Sequence, residues 1–366
     1  FASVGTAFKR YIANPLFTWN TSIGQWSNLT DFPVYDLKPE RTNSFEVGMN
    51  MRFLKNFELD VTYYNAKTFN PELPVGEYAR IYIQTGAVRN QGLELALNYN
   101  NTWKDFTWNT GVTYSMNKNK ILTLADNAIN PITREKFSIS SLNMGGLGST
   151  RFILKEGGSM GDIYSLMDLK RDANGAVYID ENNSVVTESL EANNYIKLGS
   201  VLPKGNLAWR NNFSWKNINV AFLVSARLGG VVFSRTQAVL DNFGVSEASA
   251  AARDKGYVSV NGNDRVNPEG WYSVVAGGTA VPQYYIYSAT NIRLQEASIG
   301  YTIPRKWLGN VCDIKVSLIG RNLWMIYNKA PFDPESVAST DNFYQGIDYF
   351  MMPSLRNIGF NLSFKF

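Results

Sequence analysis

The chain has 366 residues and a formal net charge of +4 that is spread along the sequence, a pattern that gives no support to nucleic-acid binding. Histidine is absent, which removes the commonest metal ligand and general base. Cys312 is the single cysteine, so an internal disulfide is excluded. No stretch approaches about 18 uninterrupted apolar residues, so a transmembrane helix is excluded as well.

The first half of the chain predicts long strands. The end of a strand at residues 1–11 and a loop at 12–40 precede two hairpins. The first hairpin joins residues 41–54 to 57–69, and the second joins 90–101 to 106–117. Apolar and polar residues alternate along these four strands. Because side chains on a strand point alternately to opposite faces, each strand has one apolar and one polar face.

The middle of the chain mixes shorter elements with long loops. A loop at 118–148 precedes two shorter predicted strands at 150–155 and 162–170, and a polar region follows to residue 200. A third hairpin joins residues 205–215 to 218–227. The longest connection runs from 229 to 288, and its Ala-rich stretch at 245–254 predicts a helix.

The last predicted strands are residues 291–303, 313–325 and 354–366, which bring the total to about twelve. A strand of roughly 9–11 residues tilted by about 45° crosses a bilayer. Short turns alternate with long loops, as in outer-membrane barrels with short periplasmic turns and long extracellular loops. A soluble β-sandwich that binds glycans is an alternative, although its strands would be shorter, at about 5–6 residues. The predicted fold is therefore all-β, a transmembrane antiparallel β-barrel.

The alternation also predicts which side chains meet lipid. The apolar set faces outward and the polar set, which carries charges alongside Gly, Ser, Thr and Asn, faces a water-filled or plugged lumen. We expect Leu95, Val112 and Phe360 to point outward, and their neighbours Glu94, Thr113 and Asn361 to point inward.

Five sequence motifs, in the same order, resemble the C-terminal barrel signatures of SusC/RagA-like TonB-dependent outer-membrane transporters. They are DLKPERTNSFEVG at 36–48, NQGLEL at 90–95, KEGGSMGDIY at 155–164, IRLQEASIGYTIP at 292–304, and GRNL at 320–323 with FDPE at 332–335. In the third motif, Ser165 replaces the final Gly of the family pattern. The resemblance covers the chain from about Asp36 to its end.

This resemblance implies that residues 1–366 are the C-terminal part of one barrel of about twenty-two strands. The N-terminal plug, the first strands and the TonB-contacting segment would then belong to an absent upstream portion. It further implies import of oligosaccharides or peptides across a bacterial outer membrane and a SusD-like surface lipoprotein that lids the barrel. The barrel and its lipoprotein would form a pair, and two such pairs would form a dimer. The terminal aromatic, Phe366, resembles the signal read by the outer-membrane assembly machinery. A non-transporting adhesin or binding barrel is the alternative function.

Loop aromatic residues are the candidate substrate contacts, because their rings can stack on sugars or hold peptide side chains. Packing between loops and an interfacial girdle explain the same residues without a substrate. The candidates are Trp19, Trp26, Trp271, Tyr272, Tyr284, Tyr285, Phe343, Tyr344 and Tyr349.

Other constellations favour structural roles. Asp172, Asn174, Gly175 and Glu181 fall at EF-hand positions, but Lys170 stands where the first carboxylate is needed. A hairpin turn explains the same residues equally well. Inward carboxylates such as Glu58 and Glu296 show no spacing typical of an acid/base pair and are expected to partner inward arginines such as Arg52 and Arg321. We find no nucleophile motif, phosphate loop or metal spacing, so the sequence predicts neither an enzyme nor a cofactor.

Overall fold

The structure is a computed structural model. It describes residues 40–69, 86–129, 135–278, 280–309, 311–339 and 344–365 in full. It also describes the backbone of the short strands Phe17–Asn20, Gln25–Asn28, Asp31–Phe32, Glu72–Val75 and Arg80–Gln84 and of the first strand, Ala2–Ala7.

One antiparallel sheet of ten strands runs through the chain, and each strand pairs with its neighbours in chain order. The long alternating segments found in the sequence form this sheet. Its strands are β1 (Ala2–Ala7), β2 (Glu40–Phe53), β3 (Phe57–Phe69), β4 (Ala87–Trp103), β5 (Phe106–Thr123), β6 (Gly205–Trp215), β7 (Ile218–Leu228), β8 (Asn291–Ile303), β9 (Asp313–Asn328) and β10 (Asn357–Lys365).

The predicted barrel fold and its three hairpins are confirmed, but two of the twelve predicted strands lie outside the large sheet. Residues 150–155 and 162–165 belong to a separate four-stranded sheet, with Ser141–Asn143 and Ile196–Ser200. The reason is visible in their burial, because Phe152 and Ile163 are enclosed by protein on all sides rather than alternating between lipid and water. The total of twenty-two strands stays a prediction.

The loops hold more regular structure than the sequence predicted. Strand β5 extends to Thr123, into the region expected to be a loop. The helix expected at 245–254 is confirmed as Glu247–Lys255, with Ser246 capping its start and Gly256 its end. Among the described residues, the remaining elements are α1 (Arg235–Asn242), α2 (Glu247–Lys255), α3 (Pro268–Val275), three 3-10 turns (Ala192–Asn194, Pro282–Tyr285 and Arg305–Leu308), and the short strands Ala125–Ile129, Lys136–Ile139, Met167–Leu169, Thr187–Ser189, Val231–Ser234, Val258–Val260, Asp264–Val266, Ile286–Ser288 and Ile347–Asp348.

Short turns lie at one end of the sheet and long loops at the other. Lys55, Lys104 and Lys216 each adopt a positive φ in the turns that follow β2, β4 and β6. The turn between β8 and β9 contains the 3-10 helix Arg305–Leu308 and ends at Gly309, with φ of 62°. By the usual pattern of outer-membrane barrels, this end is periplasmic and the long loops are extracellular.

The outward face carries a continuous chain of aromatic rings near the periplasmic turns. Phe57 lies 4.7 Å from Tyr99 between ring centroids, and Tyr99 lies 5.2 Å from Trp108. Trp108 in turn stacks on Phe213 at 6.1 Å, and Phe213 lies 6.2 Å from Phe222. These contacts cross five neighbouring strands and form the interfacial aromatic girdle typical of membrane barrels. Above them lies an exposed apolar surface that includes Val47, Met49, Leu97, Val112, Ile299, Leu318, Phe360 and Leu362.

The other face of the sheet points to the lumen, and loop residues fix its direction. The backbone N–H of Met160 donates to Asn119 Oδ1 at 2.8 Å, and Ile121 is buried with Leu154. Asn119 and Ile121 share the face of β5 that carries Thr113, opposite Val112. The predicted directions of Val112 and Thr113 therefore agree with the structure.

None of the helices within the described residues is long and apolar enough to cross a membrane.

Candidate functional site

The extracellular loops pack into one folded body, which we call the loop unit and define as the described residues of the three segments 141–204, 229–290 and 329–350. Its three segments share one hydrophobic core. Because this core buries side chains from all three loops, the unit has a defined shape rather than three independent loops. The core includes Phe152, Ile163, Leu169, Val185, Val201, Phe233, Val266, Val281, Tyr285 and Ile347.

A small three-stranded sheet ties the second and third loops together. The strand Val231–Ser234 pairs antiparallel with Ile286–Ser288 and parallel with Ile347–Asp348. Ser234 caps α1 by accepting the Gln237 N–H at 3.0 Å, and its hydroxyl donates to Asp348 Oδ2 at 2.6 Å. The same residue thus begins a helix and fixes the neighbouring loop.

A buried tyrosine and aspartate join α1 to the segment before β8. Tyr285 is only 2% exposed, and its hydroxyl donates to Asp241 Oδ2 at 3.0 Å. Burial, together with the Asp241 charge, raises the pKa of Tyr285 far above its usual value. The same causes raise the pKa of Tyr287 to about 12. Both hydroxyls therefore stay protonated at neutral pH, and Tyr285 serves the core as a hydrogen-bond donor.

Trp271 and Tyr284 form an aromatic pair at the surface of the loop unit. Their rings meet edge to face with centroids 5.1 Å apart. Trp271 lies on α3, and both it and Tyr272 pack against the loop-unit core. Tyr284 is 40% exposed. Among the predicted aromatic residues whose side chains the structure describes, this is the pair that lies together with a face open to solvent.

The other predicted aromatic residues lie elsewhere. Tyr344 and Tyr349 are both exposed; Tyr344 packs on Phe152 at 6.2 Å and Tyr349 on Phe350 at 5.5 Å between ring centroids. Trp19 and Trp26 are register partners on the paired strands Phe17–Asn20 and Gln25–Asn28. Their side chains, and Phe343 and Phe366 as a whole, lie outside the described residues.

Charges on the lumen face pair across strands. Arg52 on β2 lies 3.3 Å from Glu58 on β3, and Arg321 on β9 donates to Glu296 on β8 at 2.9 Å. These are the arginine partners that the sequence predicted for the inward carboxylates. Each pair is open to the lumen, so its net contribution to stability is about 0–1 kcal/mol.

A buried arginine was not identified as a functional candidate from sequence. Arg293, at the extracellular end of β8, is only 4% exposed and lies 2.8 Å from Asp333 and 2.9 Å from Glu335. Its guanidinium also donates to Asn322 Oδ1 at 3.3 Å. Ser354, just before β10, donates to Asp333 as well. The sequence did hold a signal for this network, since all of its residues except Ser354 stand in the signature motifs at 292–304, 320–323 and 332–335.

The arginine network sets the charge state of Asp333. Burial alone would raise the pKa of this carboxyl, but hydrogen bonds from Arg293 and Ser354 outweigh burial and hold the pKa below its usual value. Asp333 is therefore ionised at neutral pH and remains matched to the guanidinium. The network joins β8, β9, the loop after β9 and the start of β10.

The segment considered for calcium forms a hairpin turn. Asp172 Oδ1 accepts the backbone N–H groups of Asn174 at 2.8 Å and Ala176 at 2.9 Å, and Gly175 has φ of 82°. Arg171 and Val177 pair across the turn. In the part of the chain that the structure describes, no group of three His, Cys, Asp or Glu side chains is placed to hold a metal ion. These contacts match the hairpin-turn alternative.

The model of the TonB dependent receptor-like beta-barrel family matches residues 1–221, which is more than half of the chain. The chain belongs to this family. The family and its structural neighbours confirm the predicted SusC/RagA-like barrel and place the protein in the bacterial outer membrane.

Two curated relatives of this receptor-like barrel come from Formosa agariphila. TonB-dependent receptor P3 is 26% identical over 381 residues, covering 92% of this chain and 35% of the relative. TonB-dependent receptor P26 is 26% identical over 377 residues, covering 97% of this chain and 35% of the relative. The chain thus spans about a third of the length of these relatives.

Solved structures show the same fold. The RagAB peptide importer in its open-open state aligns with a TM-score of 0.72 and 17% identity, covering 100% of this chain and 40% of that chain. The structure of the RagAB peptide transporter aligns with a TM-score of 0.69 and 16% identity, covering 100% and 38%. At this identity the likeness supports the barrel architecture.

Proposed function

We propose that this chain forms the substrate-conducting wall and the extracellular loop unit of a TonB-dependent importer of oligosaccharide or peptide nutrients. The observation that carries the proposal is the membership of the TonB-dependent receptor-like barrel family, on a sheet with an apolar outer face and a polar lumen face. Two solved neighbours are described as a peptide transporter and a peptide importer, which supports a peptide as one of the two substrate classes.

In the proposed mechanism, substrate is captured at the loop unit and then passes through the lumen. The Trp271–Tyr284 pair offers an apolar face to a sugar ring or to a peptide side chain. A SusD-like surface lipoprotein would lid the site, and two such pairs would form the dimer. A plug and a TonB-contacting segment would couple passage to energy. Polar lumen residues such as Asn361 and Thr113 provide a wettable wall along the path.

The lumen charges support transport rather than chemistry. Glu58 and Glu296 each face an arginine, so neither is arranged with another carboxylate as an acid/base pair. The competing proposal is a surface adhesin that binds the same ligand without moving it. A measurement of whether bound ligand is then internalised separates the two functions, because only an importer moves it across the membrane.

Tyr284→Ala tests the capture step in the full-length protein, because the ring is exposed enough to be removed without opening the core. Uptake of labelled oligosaccharides and peptides is measured against concentration. We expect the half-saturation concentration for the true substrate to rise about fivefold or more, as for a moderate contact residue of about 1 kcal/mol, while the maximal rate is unchanged. Phe243→Ala is the matched control, since Phe243 is 73% exposed in the same unit and, among the described residues, makes no ring contact with Trp271 or Tyr284. Equal effects in the two variants would show that Trp271 and Tyr284 are not part of the capture site.

A further inference from the structure

Three cations lie side by side on the outward face of β3, β4 and β5. Lys67 is the register partner of Arg89, and Arg89 is the register partner of Lys120. The same ladders pair Tyr63 with Leu93 and Leu93 with Met116, with no register shift between the two rows. Because side chains alternate with period 2, the cations share the face of these lipid-facing residues. We call Lys67, Arg89 and Lys120 the cationic row.

The cationic row stands just above the apolar belt. Ten residues along each strand separate the pair Trp103–Phe106 from the pair Leu93–Met116. This separation is about 33 Å along the strand and, because the strands are tilted, about 25 Å along the membrane normal. That rise equals the height of the apolar band in outer-membrane barrels. The row lies four residues further on, about 13 Å along the strand. Its charged groups therefore reach the headgroup level of the extracellular leaflet.

The described protein leaves these charges without a counter-ion. Like charges directly opposite each other on neighbouring strands destabilise a sheet. Among the described residues, no carboxylate lies within 4.0 Å of Lys67, Arg89 or Lys120. The Arg89 Nε atom is buried and has no hydrogen-bond partner among the residues that the structure describes. Such a row is stabilised when an anion lies across it.

A cavity of about 600 Å³ extends from the row toward β6. It exists because β5 pairs with β6 only up to Ser115, whereas the backbone of Ile121 bonds to Gly157 and Gly158 at 2.9 and 2.8 Å. The edge of β5 between these points stays open. Arg89, Lys118, Lys120, Lys197 and Lys204 line the cavity together with one carboxylate, Asp162, which Lys197 already contacts at 2.5 Å.

We propose that the cationic row and this cavity bind the phosphate-bearing headgroup of a lipid in the outer leaflet. Basic pockets at a membrane surface recognise anionic headgroups in this way, and Lys and Arg match phosphate as charge-assisted donors. A lipid is favoured over a soluble anion because the row shares the outward face with the apolar belt, where acyl chains pack below the headgroup. A soluble substrate would instead meet the lumen face, from which β5 contributes only the uncharged Asn117 and Asn119 to the cavity lining.

The test measures binding of diphosphorylated lipid A to the full-length protein in detergent by native mass spectrometry. The variant Lys67→Gln/Arg89→Gln/Lys120→Gln removes the row. At about 1 kcal/mol, or about fivefold, per cation near a membrane surface, we expect binding to weaken about a hundredfold. The matched control is Lys55→Gln/Lys104→Gln/Lys216→Gln, which removes the same charge at the periplasmic turns and should retain binding within about twofold.

Two further variants separate charge from folding. Lys67→Arg/Lys120→Arg keeps the charges and should keep the affinity, and Lys120→Gln alone should weaken binding about fivefold. The proposal is overturned if the control variant loses as much binding as the row variant, or if lipid A stripped of its phosphates binds equally well. It is also overturned if inorganic phosphate or a soluble sulfated oligosaccharide displaces the lipid at equal concentration, because the site would then serve free anions.

Discussion

The direction of the β10 side chains is tested most sharply by placing one arginine on each face. Phe360 points outward and is 81% exposed to what would be lipid, and its register partner Leu318 is also exposed and apolar. Asn361, the next residue, is the register partner of Ser317 on the lumen face. Phe360→Arg and Asn361→Arg therefore make the same chemical change at nearly the same depth.

The depth of Phe360 sets the size of the effect. Phe360 lies five positions before Lys365, the last residue of β10, so it stands about 17 Å along the strand from the periplasmic end, which is about 13 Å along the membrane normal for a tilted strand. In a band about 25 Å tall this is close to the bilayer midplane, where an arginine on the lipid face costs about 2–4 kcal/mol. We expect Phe360→Arg to lower the folding equilibrium by about thirtyfold or more. For Asn361→Arg, where water can hydrate the guanidinium, we expect a change within about 1 kcal/mol.

The assay is urea unfolding of the full-length protein in lipid vesicles, followed by the loss of the compact, heat-modifiable species on gels. Val112→Arg and Thr113→Arg repeat the comparison on β5, where both edges of the strand are paired. Equal losses for the two members of a pair, or a larger loss for Asn361→Arg, would refute the assignment of faces.

Three more predictions follow from the network, the terminus and the sheet edges. Arg293→Met leaves Asp333 as a buried carboxylate without its guanidinium partner and should destabilise the protein by about 3–5 kcal/mol in the same unfolding assay. Arg321→Met, at a lumen-exposed pair, should cost less than about 1 kcal/mol. The Asp333 pKa is depressed in the folded state, so the stabilisation by this carboxylate is present above the unfolded pKa and is lost as pH falls through the folded pKa. The difference in unfolding free energy between wild type and Arg293→Met should therefore become smaller in acid. A difference that does not change with pH contradicts the network. Deletion of Phe366 should lower outer-membrane levels without changing substrate affinity, and normal levels in the deletion strain would count against an assembly signal. Residues 1–366 alone should aggregate, because β1 and β10 are the edges of the described sheet and each unpaired backbone group in hydrocarbon costs several kcal/mol; a monodisperse, heat-modifiable fragment in detergent would contradict this.

Period-2 alternation was sufficient to locate the barrel strands, because lipid on one side and water on the other impose opposite demands on successive residues. The hairpin of β2 and β3 and that of β6 and β7 match the expected positions to within one residue at every end. The same rule misassigned residues 150–155, where both faces are covered by protein. Alternation carries no information where neither face meets solvent or lipid.

The candidate site was harder to predict, because its residues come from loops far apart in sequence. Aromatic composition identified Trp271, Tyr284 and Tyr285 together, but only packing separates them. Tyr285 hydrogen-bonds Asp241 inside the core, whereas the adjacent Tyr284 turns outward to Trp271. The cationic row could not be predicted from the sequence for a related reason. Lys67, Arg89 and Lys120 become neighbours only through the register of three strands.

Energy-dependent uptake tests the central proposal most directly. Cells that carry the full-length gene, and cells from which it is deleted, are given labelled oligosaccharides and peptides with and without a proton ionophore, and label inside the outer membrane is separated from label bound at the surface. We predict that one substrate class is internalised only when the gene is present and the proton gradient is intact, while surface binding survives the ionophore. Ligand that binds at the surface and is never internalised, with or without the gradient, would contradict import and identify a binding barrel.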